Sequence, residues 1–549
     1  QQEKVYLHFD NTAYFQGDVI WFSAYVVNAA TQTPAQSKVL YVELLSPNGV
    51  VLKQLKLKIE NGQAHGSLPL VESPTEEARA LRGVMALPSG FYEVRAYTRT
   101  MLNFDSAGIF SRVFPVYEAP KKDGDYSNPT MQRWDNPYDV QRPETEKAKD
   151  LNLTFYPEGG HLVIGQPCRV AFKATDDNGM GVSVSGQLED EQPIAIETLH
   201  DGMGHFTFTP TKKRHQASVT YKGKKYTFRL PEPKSEAYSI RVDNLRDQHI
   251  RGMLNGYAGC PDELLGVMLI CRGSVAYFDT LSIRGGAAGF VIPKEKLPTG
   301  VHQLTLFNAQ GHIFAQRQLF INNGIATTGV SVTMDKGSYG PFEQVKLRLQ
   351  VEEKGSQHLS LAVRDVADYG TGSTDDLRSY MLLSSELKGY IERPTYYFEA
   401  DDEEHRVALD RLMLVQGWSR YNWQQMTNKT PFKVLHYTEE ALVLDGWALH
   451  PRKDEPMAGI EVKIKLYSPD RLQMQEVSVV TDDNGYWSTN LEGFEGEWDL
   501  NLQTYQEAKP VVARLRLERA TAPEVLAYET REMRLQHRLD STTYTPWVK

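Results

Sequence analysis

Two apolar, aromatic-rich runs separated by Asp-x-x-x-Tyr-x-x-Gly-Asp open the chain, and no other feature constrains its fold as strongly. In Val5–Val27, Val5, Leu7 and Phe9 alternate with Tyr6 and His8; Asp10 and Asn11 break the run, and Ile20 to Val27 resumes it. Period-two alternation of β-branched and aromatic residues reads as strands. In the turn, Asp10 can cap backbone amides, Tyr14 packs back and Gly17 permits a positive φ. The grammar returns 325 positions later in Val330–Glu352, where Asp335, Tyr339, Glu343, Val345 and Leu347 replace Asp10, Tyr14, Asp18, Ile20 and Phe22. A first hairpin repeated at that distance predicts an array of related β-domains.

At 549 residues the chain is too long for one core, and about three to five domains are expected. With 41% hydrophobic and 10% aromatic residues, each can bury a core. The net charge of -10 is spread among interspersed acids and bases, so a nucleic-acid footprint, which needs a basic face, is not expected. Cys168, Cys260 and Cys271 have no zinc-type spacing; Cys260 and Cys271 could pair across adjacent strands, although buried free thiols are the preferred reading. No run of 18 apolar residues is present, so no membrane-spanning helix is expected. A chain that opens Gln1-Gln2-Glu3 and enters a strand at once reads as a mature, exported product.

In order, residues 1–118 form the first β-domain, with a turn at Ser46-Pro47-Asn48-Gly49 and Leu87-Pro88-Ser89-Gly90 leading into a strand. Residues 119–150 read as a linker. The second β-domain spans 151–233, with turns at Phe155–Gly160, Asp176–Gly179 and His200–Gly204. The third spans 237–323 and repeats the leader as Leu297-Pro298-Thr299-Gly300. The fourth, 330–432, opens with the repeated hairpin, continues through His358–Arg364, and changes period. Leu377, Tyr380, Met381, Leu387 and Ile391 predict a helix over 375–391, capped by Ser373, Thr374 or Asp375; Ala408, Leu412 and Val415 predict another over 403–418, with Gly417 near its end. Both helices are expected to decorate the fourth β-sandwich. A fifth β-domain spans 437–518, with a tight turn at Asp483-Asn484-Gly485, and 519–549 is a tail without clear periodicity. The predicted class is all-β: tandem sandwiches with a two-helix insertion, strung as an extended or gently curved rod.

These residues resemble the macroglobulin domains of the α2-macroglobulin family, which are Ig-like seven-stranded sandwiches in series. Asp10, Tyr14, Gly17 and Asp18 match that family's hairpin, whereas the second copy carries Phe342 in place of the glycine. FYPEGG (155–160), LHDGMGHFTF (199–208), LLSSELKGYIE (382–392) and ALDRLMLVQGW (408–418) are similar to stretches of large Bacteroidetes envelope proteins with this domain type. Residues 442–518 resemble the carboxypeptidase regulatory-like, transthyretin-like sandwich. The resemblance implies an exported protein, in the periplasm or at the surface of a Gram-negative bacterium. Its implied partner is another envelope protein, either an outer-membrane transport complex or a protease. Thioester trapping is not implied: no Gln lies three residues after any of the three cysteines.

Candidate sites each have a plainer reading. His200, Asp201 and His205 could ligate a metal, but Asp-Gly inside a hairpin is ordinary turn chemistry. Asp176, Asp177 and Asn178, and Asp482, Asp483 and Asn484, resemble calcium-loop fragments without the closing Glu, so solvated turns are preferred. Glu158, Asp190 and Glu191 could supply a glycosidase pair, which sequence spacing cannot test. Tyr396, Tyr397 and Phe398, with Trp418, Tyr421 and Trp423, either line a partner groove or form a small core joining helices to sandwich. The expectation is a binding scaffold with no enzymatic activity, no cofactor and no metal. The alternatives are a protease-interacting macroglobulin relative and a carbohydrate-binding or polysaccharide-processing accessory protein.

Overall fold

A computed structural model describes residues 2–46, 49–72, 85–104, 108–122, 130, 150–176, 179–190, 192–246, 248–324, 329–340, 342–352, 358–364, 375–417, 430–468, 471–491 and 498–517. The first sandwich contains β1 (Glu3–Phe9), β2 (Tyr14–Phe15), β3 (Val19–Asn28), β4 (Val39–Leu45), β5 (Val51–Lys58), β6 (Gln63–Pro69), β7 (Gly90–Tyr97) and β8 (Phe110–Tyr117). The second contains β9 (Asn152–Pro157), β10 (Cys168–Thr175), β11 (Ser185–Glu189), β12 (Ile194–Glu197), β13 (Met203–Phe208), β14 (Gln216–Tyr221) and β15 (Lys224–Arg229). The third contains β16 (Ser239–Asp243), β17 (His249–Asn255), β18 (Glu263–Cys271), β19 (Ser274–Ile283), β20 (Ala287–Pro293), β21 (Gly300–Phe307) and β22 (Ile313–Ile321).

All three share one wiring. Their smaller sheets run β1-β3-β6, β9-β10-β13 and β16-β17-β20; their larger sheets run β5-β4-β7-β8, β12-β11-β14-β15 and β19-β18-β21-β22, with β2 added beside β8 in the first. This is a tandem of Ig-like β-sandwiches. The two leader sequences share a role: Leu87 and Leu297 are buried, and Gly90 and Gly300 begin the sixth strand of their wiring.

Next come β23 (Val330–Met334) and β24 (Leu347–Val351), a two-stranded antiparallel sheet. The fifth sandwich holds β25 (Leu442–Leu449), β26 (Glu461–Tyr467), β27 (Met474–Val480), β28 (Tyr486–Leu491), β29 (Asp499–Gln506), β30 (Lys509–Pro510) and β31 (Arg514–Leu517). Its sheets run β28-β25-β31 and β27-β26-β29-β30, so its first strand is central rather than an edge.

The repeated turn is the same object twice. Tyr14 donates its hydroxyl to Asp10 Oδ1 at 2.7 Å, and the Phe15 and Trp21 amides donate to Asp18 and Asp10 at 2.8 and 3.0 Å. In the second copy, Tyr339 donates to Asp335 at 2.5 Å, and the Gly340 and Lys346 amides donate to Glu343 and Asp335 at 2.8 and 3.3 Å.

What surrounds the two copies differs. Residues 330–432 do not form a sandwich carrying two helices among the described residues, which corrects the sequence expectation. The first predicted helix is a shorter one, Leu377–Leu382, followed by a 3-10 turn, Ser384–Glu386; it ends where Leu383 leaves helical backbone geometry. Asp376, rather than Asp375, caps it by accepting from the Ser379 amide, while Ser373 and Thr374 lie outside the described residues. The second helix is Glu403–Val415, capped by Asp402. The apolar faces of both pack against the first three sandwiches. With Leu382, Leu383, Leu387, Ile391, Tyr397, Ala408, Leu409 and Leu412–Val415, the segment builds one core shared with Ala171, Met203, Val301 and Phe320. Burying each such large side chain contributes about 1.5–3 kcal/mol, enough to fix the segment between domains. The first three sandwiches therefore surround a helical hub, and the expectation of a rod does not hold for them.

Candidate functional site

The hub meets each sandwich through buried charge as well as apolar area. In β1, Val5, Leu7 and Phe9 face their own core, while Lys4 and Tyr6 on the opposite face are buried too. Lys4 donates to the Met381 carbonyl at 3.1 Å and forms an ion pair with Glu386, both side chains being nearly inaccessible. The Tyr6 hydroxyl donates to the Asp375 carbonyl at 3.2 Å; burial pushes that phenol up to about 12. Asp375 accepts from the Ser379 and Ser384 hydroxyls at 2.7 Å each, yet burial raises its carboxyl to about 6.

The second and third sandwiches join the hub through Glu158 of the FYPEGG turn. Its carboxylate accepts from Arg169 Nε and Nη2 at 2.7 and 2.6 Å, from Arg317 Nε at 3.0 Å and from the Val242 amide at 3.2 Å. Arg317 in turn donates to Asp410 of the long helix at 2.6 Å. Gly159 makes the approach feasible: its φ is +78°, and a Cβ there would lie 2.2 Å from Ile240 Cγ2. Glu158 thus serves as a domain joint. Asp190, its expected catalytic companion, faces His215 and Lys212 instead, at 3.7 and 3.8 Å, and Glu191 lies outside the described residues.

Two sequence candidates, distant along the chain, come together at the rim of the hub. His200 stacks on Tyr396 with ring centroids 4.1 Å apart, and Tyr397 meets the same imidazole edge-on at 5.6 Å. Tyr397 is buried in the shared core; Tyr396 also lies against His405 and beneath the Arg393 guanidinium. Asp201 accepts from Arg393 at 2.8 Å, and its other oxygen lies 2.9 Å from His200 Nε2, off the axis of a hydrogen bond. Burial would raise the Asp201 carboxyl, but these two neighbours hold it below the usual carboxylate range. His205 points elsewhere, and burial, with Arg411 and Arg169 nearby, lowers its imidazole to about 4. Among the described residues no three His, Cys, Asp or Glu side chains are placed to hold a metal. Trp418, Tyr421 and Trp423 lie outside the described residues.

The remaining candidates resolve as turns and thiols. Asp176 accepts from the Met180 amide, and Asp482 from the Asn484 and Tyr486 amides, as turn residues do. All three cysteines are free thiols, and burial raises that of Cys271 to about 11. Sequence reading missed the Lys4–Glu386 and Arg317–Asp410 pairs. The available signal was a lysine set directly before the alternating run Val5–Phe9 and charges flanking an apolar helical stripe.

No protein-family model matches the chain, and no curated protein matches it. Among solved structures it is similar to Salmonella alpha-2-macroglobulin (mutant Y1175G) at 12% identity, over 95% of this chain and 40% of that one, with a TM-score of 0.17. Escherichia coli alpha-2-macroglobulin activated by porcine elastase aligns at 11% identity, over 94% of this chain and 43% of that one, with a TM-score of 0.22. A tetra-tandem repeat from the extending region of a large adhesion protein aligns at 8% identity, over 94% and 98%, with a TM-score of 0.15. The chain thus spans about two-fifths of the macroglobulin structures. At these scores the assignment to tandem Ig-like sandwiches rests on the strand order described above.

Proposed function

We propose that this chain is a non-enzymatic, macroglobulin-like binding scaffold without a thioester, exported to the envelope of a Gram-negative bacterium, where it engages a protein partner. One observation carries the reading: Glu158, Asp201 and His200, the residues best suited to chemistry, are engaged in contacts that join the second sandwich to the third sandwich and the hub. Their placement supports a rigid frame that presents surfaces. The macroglobulin-type turn, present twice with the same hydrogen bonds, supports the family reading. The seven-stranded fifth sandwich is compatible with a regulatory-like domain. No helix among the described residues is long and apolar enough to cross a membrane.

Limited proteolysis with several unrelated proteases, followed by mass spectrometry and small-angle scattering, tests this. We expect cuts outside the sandwiches and hub and an unchanged scattering profile. Cuts by different proteases converging on one segment, with compaction of the cut chain, would overturn the scaffold reading in favour of a protease trap.

A further inference from the structure

Where the long helix crosses β10 and β13 of the second sandwich, one buried positive charge is left over. Ala408 and Leu412 of that helix share a core with Ala171 and Met203, and Arg411, on the same side of the helix, is only 8% exposed. The guanidiniums of Arg169, Arg317 and Arg411 act on one another here, but among the described residues they share two buried carboxylates, Glu158 and Asp410. Glu158 is taken by Arg169 and Arg317, and Asp410 by Arg317. Asp243, which also acts on Arg169, is 41% exposed and lies 3.4 Å from Arg246. No ion pair reaches Arg411 among the described residues. Burial lowers its pKa; Asp410 works against that, while Arg169 and Arg317 add to it.

The surplus charge comes with surplus donors. Arg411 Nη1 donates to the Val407 carbonyl at 3.0 Å. Its Nε is sealed from solvent and makes no hydrogen bond among the described residues, and Nη2 makes none either. What remains open is the Nε–Nη2 edge, whose two parallel N–H groups match two oxygens of one carboxylate or phosphate. His205, the cross-strand neighbour of Ala171, also has a buried Nδ1 without a hydrogen bond among the described residues. After burial itself, Arg411 and then Arg169 act most strongly on this imidazole, and Arg241, exposed on β16, acts on it as well. A neutral imidazole has one N–H to give, and Nδ1 can carry it. Buried donors left unbonded are costly, and an acceptor-only anion satisfies both side chains at once. We propose that Arg411 and His205 form an oxyanion-binding site at this joint. The Nε–Nη2 edge of Arg411 holds two oxygens of a carboxylate or phosphate group, His205 Nδ1 donates to the same group, and Arg241 attracts it from solvent. An anion held there ties β13 to the long helix through its own hydrogen bonds.

Isothermal titration calorimetry of the full chain with inorganic phosphate and with acetate, at constant ionic strength, tests the proposal. We expect one site with a dissociation constant of about 1 mM or lower, weakened about tenfold or more by Arg411→Met and less by His205→Phe. Arg406→Met, exposed on the same helix and paired with Asp401, should leave binding unchanged. Arg411→Met removes a buried charge that has no partner, so without added anion it should be at least as stable as the parent in urea. The bound anion should raise the urea midpoint of the parent and not that of Arg411→Met. Binding of phosphate alone assigns the site to a phosphate group, and binding of acetate alone to a carboxylate; either supports the proposal. Binding of neither up to ~50 mM overturns it, because the charge is then neutralised within the chain. Binding that Arg411→Met leaves unchanged also overturns it, as does a marked loss of stability in that variant, which would reveal a counter-charge inside the fold.

Discussion

Arg317 Nη2 lies 2.6 Å from Asp410 Oδ1, joining the last strand of the third sandwich to the long helix with both side chains out of water. The same guanidinium reaches Glu158 of the second sandwich, so one cation ties three elements together. Removing one partner of such a pair strands a buried charge, whereas replacing both with apolar groups of similar volume does not. Arg317→Met alone should cost about 3–5 kcal/mol, and Arg317→Met/Asp410→Leu markedly less. Urea unfolding of the two variants, followed by hydrogen exchange in β22 and the long helix, measures the difference.

Lys4 and Glu386 tether the first sandwich to the hub in the same way. Lys4→Met leaves Glu386 buried without its cation, so protection of 377–386 should drop by about 3 kcal/mol while β4 and β7 keep theirs. Equal loss in β4 and β7 would show that Lys4 supports the first core rather than the joint.

Acid should loosen the third sandwich. His302 is fully buried, with Nδ1 3.0 Å from the Gly300 carbonyl, and burial lowers its imidazole to about 4. Between about pH 6.5 and pH 4 the unfolded chain binds the proton and the folded chain does not. Stability is therefore complete above that window and falls as pH drops through it, by at most about 3 kcal/mol. His302→Asn should flatten this part of the profile in pH-dependent urea titrations.

The repeated turn supplies a backbone test. Gly17 has φ +87°, and a Cβ added there would meet nothing within 4 Å, so Gly17→Ala probes conformation alone and should cost about 1 kcal/mol. Phe342, at the matching place, holds φ +63° with its ring exposed. Phe342→Gly should relieve strain and raise hydrogen-exchange protection of β23–β24 by up to about 1 kcal/mol.

Local chemistry was legible. The Asp10–Tyr14 turn and its copy, the Leu-Pro-x-Gly leaders and the period-two strands involve residues a few positions apart, so their signals sit within short windows. The amphipathic stripes of the two helices were also legible, because a 3.6-residue period marks a buried face without saying what buries it. The candidate Tyr396–Tyr397 pair was found as an aromatic cluster; its partner His200, nearly two hundred residues away, was found separately as a turn residue.

The sequence alone determined that the chain is a tandem of β-sandwiches with two helices late in it, since backbone periodicity and turn chemistry are properties of neighbouring residues. Only the tertiary structure decided that the helices leave the fourth hairpin and fill the space among the first three sandwiches. That choice depends on Lys4 meeting Glu386 and on Glu158, Arg317 and Asp410 converging across the fold. The stabilisation of a buried charge is set by which opposite charge reaches it through space, and a linear pattern carries no record of that distance.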